Sequence, residues 1–162
     1  MAGDMFLKIG DIKGESADHK YKEWIPVENW SWGESQPGSA GRGGGSGVGK
    51  VNMQDFNFSK FMDKATPKLV LACANGEHIP TVEFVARKAG GKDQAEYFKM
   101  KLSDVLISSY QTGGAGGSDL PVEQVSLNFS KIEMDYLQQD AKGKSASAGK
   151  MNWDVRQNKG GS

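Results

Sequence analysis

Residues 125–136 read VSLNFSKIEMDY, and where their apolar side chains fall decides the fold. Val125, Leu127 and Phe129 alternate with polar residues, the period of a half-buried strand; Ile132, Met134 and Tyr136 then alternate in the opposite phase. A slip of one residue turns every later side chain to the other face, so the strand must bend or bulge there. The pattern recurs at 25–32, where Ile25 and Val27 give way to Trp30 and Trp32 around Glu28-Asn29. It recurs again at 51–58, where Val51 and Met53 give way to Phe56 and Phe58. Long strands that change phase are what a strongly curved, barrel-like sheet requires, because a bend passes side chains from one face to the other.

Working outward, the spacing predicts strands at 81–88 (Val82, Phe84, Ala86) and 96–110 (Phe98, Met100, Leu102), with shorter ones at 6–13 and 151–157. Strands separated by turn signals in this number indicate a mainly β fold, a barrel or a sandwich. One helix interrupts them. Thr66 is the expected N-cap and Pro67 suits the first helical position. Leu69, Val70, Cys73 and Ala74 make the apolar stripe, with Cys73 expected as a buried small hydrophobe, and Gly76 supplies a left-handed stop. The segment GESQPGSAGRGGGSGVGK, residues 33–50, is longer than a hairpin needs and offers almost nothing to pack on its own domain. It is expected to be an extended arm that orders against a neighbouring subunit. The final residues 159–162 are expected to be a flexible tail.

The chain has 162 residues, the length of a single domain spanning 1–162, and is 37% hydrophobic and 25% charged, enough for a core. Lys plus Arg and Asp plus Glu number 20 each, so no overall field favours a polyanion or an anionic membrane. One cysteine permits neither an intrachain disulfide nor a Cys-rich metal site. The opening residues lack the basic and apolar regions of a cleaved signal peptide, and no apolar run reaches the length of a membrane span.

No constellation carries recognisable chemistry, so neither catalytic residue, metal nor cofactor is expected. Gly44 to Lys50 satisfies the first half of a phosphate-binding GxxxxGK loop. The next residue is Val51 where magnesium needs Ser or Thr, and the following segment alternates like a strand instead of opening a helix. His19 and His78 stand alone, without the neighbours of a metal site, and read as surface histidines. Trp30 and Trp32 face one way, as core or interface aromatics, which turns Ser31 to a polar face. That face lines either an outer surface or the inside of a ring.

MFLKIGDIKGES, WSWGESQPGS, ATPKL, ARKAGG and NWDVRQN, in this order along nearly the whole chain, resemble the Hcp (haemolysin-coregulated protein) family of type VI secretion. The resemblance implies a barrel-like pair of curved antiparallel sheets with one short α-helix and a long Gly-rich arm, similar to phage tail-tube proteins. It implies a non-enzymatic structural subunit whose homo-hexameric rings stack into a tube, with effector proteins held in the lumen and sheath and spike components as partners. It also implies a protein made in the bacterial cytoplasm and exported without a cleaved signal. Carried onto this sequence, the resemblance makes Ser31 a lumen-facing residue. It makes Gly38, Ser39, Gly43, Gly44 and Gly45 of the arm, Gly90 and Gly91, and Arg156 and Gln157, contacts between subunits or stacked rings. Two other readings stand beside it. A small β-barrel ligand- or nucleic-acid-binding domain would place aromatics among Lys99 and Lys101, where only Tyr97 is available. A P-loop nucleotide hydrolase would rest on Lys50.

Overall fold

The computed structural model describes residues 3–38, 50–88 and 94–162. Within them each phase slip is a corner where the chain leaves one sheet and enters another. The segment 25–32 divides into β2 (Ile25–Pro26), paired with β1 (Asp4–Ile9), and β3 (Asn29–Ser31), paired with β6 (Phe56–Phe61). The segment 51–58 divides into β5 (Asn52–Met53), paired with β4 (Glu34–Ser35), and β6 itself. The segment 125–136 divides into β9 (Val122–Asn128), lying between β6 and β8 (Glu96–Gly113), and β10 (Lys131–Gln139), lying between β8 and β11 (Ser145–Asp154). The expected long curved strands are therefore each two short strands joined at a bend.

With β7 (His78–Arg87) and β12 (Lys159–Gly161), ten strands form one continuous hydrogen-bonded network that divides at β8 into two antiparallel sheets, beside the two-stranded β4-β5 ribbon. The first runs β12-β11-β10-β8-β7-β1-β2 and the second β8-β9-β6-β3, and β8 belongs to both. They are mainly β and curved but do not close into a barrel. The shared strand turns at Asp104, whose φ of 52° is unusual for a residue with a side chain, and its pairing with β9 shifts between Ile107 and Ser109. Buried positions along it run Met100, Leu102, then Val105, Ile107, so the alternation expected at 96–110 contains a fourth slip.

The core lies between the sheets. Trp30 stacks on Phe56 and Phe98, ring centroids 5.7 and 5.6 Å away, and tilts against Phe84 at 5.0 Å. Phe56 and Phe84 are fully buried. Trp32 is half-buried against the same cluster, so both tryptophans of the WSW segment face inward and Ser31 faces out. A second cluster forms outside the first sheet, where Phe6, Tyr21 and Val85 are buried beside Trp24. The Arg87 guanidinium lies 5.0 Å from the Phe6 ring and is held by Asp4 and Asp18.

The helix α1 (Thr66–Asn75) differs from expectation at its start. Ala65 is the N-cap and makes no side-chain bond to the helix, while Thr66 lies in the first turn and donates to Glu123 instead. Leu69 and Ala72 are buried, Cys73 is half-buried, and Val70 and Leu71 are exposed, so the inward stripe is narrower than the sequence suggested. Gly76 ends the helix in the left-handed region at φ 66°, as the sequence predicted. The expected flexible tail instead contains β12, which pairs Asn152 with Gly161 and Asp154 with Lys159. Gly160 comes so close to Asn152 that any Cβ would overlap its backbone carbonyl, and glycine permits the pairing. At the root of the 33–50 segment, β4 pairs with β5 and the Gln54 amide donates to Gly33 at 2.9 Å, so the arm begins as an ordered two-stranded ribbon.

Candidate functional site: an uncharged face and a tied-down rim

Ser31 is exposed on the outward face of the second sheet, and strand register puts it in a row. Ser31 lies opposite Asn57, Asn57 opposite Ser126, and Ser126 opposite Ser109. A parallel row runs Asn29, Ser59, Gln124, Gln111. Directly opposed residues point to the same side of a sheet, so this block of Ser, Asn and Gln forms one surface across four strands. These side chains border a shallow depression of about 410 Å³. None of the eight carries a charge or an apolar side chain, and each can donate and accept hydrogen bonds. Ser126 donates to Asn57 across the strands, whereas the Ser59 hydroxyl is buried without a partner among the described residues. At one end Asp55 closes the block, accepting from Ser108 at 2.6 Å and Asn128 at 2.9 Å. At the other end Phe61 and Val122 lie in the next row and are largely exposed.

The core side of the same strands is apolar at Phe56, Phe58, Val125 and Leu127 but also seals in a charged pair. Lys60 and Glu123 are fully buried and 2.5 Å apart. Lys60 also reaches Asp63 and the Phe61 carbonyl, each at 2.9 Å, and Glu123 accepts from Thr66 and Tyr110. Burial, then the neighbouring Glu123 carboxylate, pushes the Tyr110 hydroxyl up to about 12. The network ties the start of α1 to β6, β8 and β9.

The residues expected to contact neighbouring copies fall near opposite ends of β7. At its start, Asp104 accepts from His78 Nδ1 and from the Ser130 hydroxyl, each at 2.9 Å, and forms an ion pair with Arg156. The hydrogen bond from His78, then that from Ser130, holds the Asp104 carboxyl below the usual carboxylate range. Gln157 sits in the same turn, its backbone N–H donating to the Asp154 carboxylate at 2.9 Å. At the far end of β7, about 30 Å away at strand rise, the Lys88 amide donates to Ala95 at 2.9 Å. Gly90, Gly91, Ser39, Gly43, Gly44 and Gly45 lie outside the described residues. Gly38 is described and exposed, with open space around it.

Ser31 and Asn29 thus share one surface, and Arg156 and Gln157 share one turn at the rim. Sequence reading missed Asp104, and the slip from Leu102 to Val105 is the signal that would have marked it. His78, Asp104 and Ser130 do not form a nucleophilic triad, because the serine hydroxyl donates to the same carboxylate as the histidine and has no base on it. Lys50 leads through Val51 into β5, so a strand follows the GK pair where a phosphate loop needs a helix N-terminus.

The fold is that of solved type VI secretion proteins. The chain matches a structure described as a type six secretion system protein with a TM-score of 0.90 and 33% identity, over 98% of this chain and 99% of the other. It matches Hcp1 from Salmonella typhimurium with a TM-score of 0.80 and 34% identity, over 99% of each chain. In sequence it is 52% identical over 159 residues, 98% of either chain, to the protein hcp1 of Pseudomonas aeruginosa strain PAO1. Residues 6–136 match the family model described as type VI secretion system effector, Hcp, and the chain belongs to that family.

Proposed function

We propose that this chain is a non-enzymatic structural subunit that closes into hexameric rings, and that the rings stack into the type VI secretion tube. The observation that carries the reading is the uncharged block containing Ser31 on the outward face of the second sheet. A surface inside a conduit must admit cargo without trapping it. Closely set hydrogen-bonding groups without charge hold folded proteins of either sign weakly, and they attract no polyanion. The seven side chains of the block other than the buried Ser59 therefore form part of the lumen wall, where effector proteins are bound and protected until export. Rings joined by a heterologous interface close when the rotation permits, and stacking head to tail leaves the tube open-ended for sheath and spike components to engage. Arg156 and Gln157 at one end of β7, Gly90 and Gly91 at the other, and the arm with Gly38, Ser39 and Gly43 to Gly45 supply contacts between subunits and rings. Synthesis in the bacterial cytoplasm and export by the type VI machine, without a cleaved signal, complete the reading.

Light scattering with negative-stain images of the same fraction tests this. A mass six times that of the chain, with open-centred rings, is expected. A monomer that persists at high concentration would overturn it.

A further inference from the structure

Asp104 is an outward-facing carboxylate that gathers partners from three other segments. His78 comes from the start of β7, Ser130 from the corner between β9 and β10, Arg156 from the turn after β11, and Asp104 itself from the bend of β8. The same corner is reinforced by backbone bonds: the Ser130 amide donates to Ser103 at 3.0 Å and the Val155 amide to Ser130 at 2.8 Å. A packing role alone would not require this site to be polar and open. Asp104 is partly exposed, and the Arg156 side chain is 70% exposed, so the pair faces outward at the end of the sheet. The left-handed backbone of Asp104 aims its carboxylate at the turn that carries Arg156 and Gln157.

We propose that Asp104 is a positioning residue for the contact between stacked copies, and that it works by orienting Arg156 and cancelling its charge. This rests on the ring-stacking reading above. A guanidinium loose at the rim would appear once per subunit around each ring, a belt of like charge facing the next ring. Paired with Asp104, the same side chain presents a fixed and nearly neutral surface. At the other end of β7 the buried Arg87 guanidinium is also paired within its own chain, with Asp4 and Asp18. Both ends of β7 thus carry an arginine paired with a carboxylate of its own chain.

The test uses purified full-length rings crowded with polyethylene glycol, with the fraction found in stacks counted in electron micrographs. Asp104→Asn keeps the shape and removes the charge. It is expected to leave ring mass unchanged and to reduce stacking at low salt about fivefold or more, with most of the loss recovered at about 1 M salt, where screening is nearly complete. In an Arg156→Gln background, Asp104→Asn is expected to add no further loss, because its effect passes through the arginine. A purely structural role would instead give additive losses in the double variant and gain nothing from salt. Either of those results, or wild-type stacking by Asp104→Asn, would overturn the inference. Wild-type rings that never stack, or no rings at all, would overturn the stacking reading beneath it.

Discussion

The two sheets place their charges in opposite ways. On the first sheet the core side is apolar and the outward face carries a ladder in which Lys8, Glu83, Lys101 and Glu133 stand opposite one another in turn, beside a second row of Lys99, Asp135 and Lys150. On the second sheet the outward face is uncharged, while Lys60 and Glu123 are sealed on the core side. A solvated face gains solubility and modest cross-strand stabilisation from alternating charge. A face that touches passing protein gains nothing from fixed charges, which would hold some cargo and repel the rest. On the proposed function, the first face meets solvent or machinery and the second meets cargo.

The strongest way to break this contrast is to remove the buried cation. Lys60→Met leaves Glu123 and Asp63 without their ion partner, and a loss of about 3–5 kcal/mol in urea unfolding is expected. The same network governs alkaline behaviour. The Tyr110 hydroxyl ionises near 10 when unfolded and near 12 when folded, so stability falls as pH rises between those values. Absorbance titration of the native protein is expected to include a late-ionising phase that Tyr110→Phe diminishes.

Smaller effects are expected on the outward faces. Lys101→Glu sets a carboxylate between Glu83 and Glu133, and a loss of about 0.5–2 kcal/mol is expected at low salt, reduced as salt screens it. Gln124→Ala, on the uncharged block, is expected to change stability by less than about 0.5 kcal/mol. A large loss from Gln124→Ala would mean that the block holds the fold together and is not a surface kept for contact.

Much of this was legible in the sequence because alternation is a local signal. The slips at 28–29, 54–55 and 129–130 locate three corners, and Trp30 and Trp32 turn Ser31 outward. What alternation cannot reveal is which strands become neighbours. The rows joining Ser31 to Asn57, Ser126 and Ser109 depend on pairing between segments far apart in the chain. Lys60 occupies an inward position on β6 and reads as an exception until Glu123 is placed beside it. Asp104 was hidden for another reason. Leu102 and Val105 look like one continuing strand unless their spacing of three is noticed. The tail was misread from composition, since glycine at 160 marks a close approach between strands and not flexibility.

The most direct test of the uncharged face as a lumen wall is to label it. Ser31→Cys and Lys101→Cys, each with Cys73→Ser so that only the new thiol reacts, would be coupled to a compact gold cluster and the rings imaged. The account predicts density inside the ring opening for the label at 31 and on the outer perimeter for the label at 101. Label from position 31 on the outside of intact rings would contradict it.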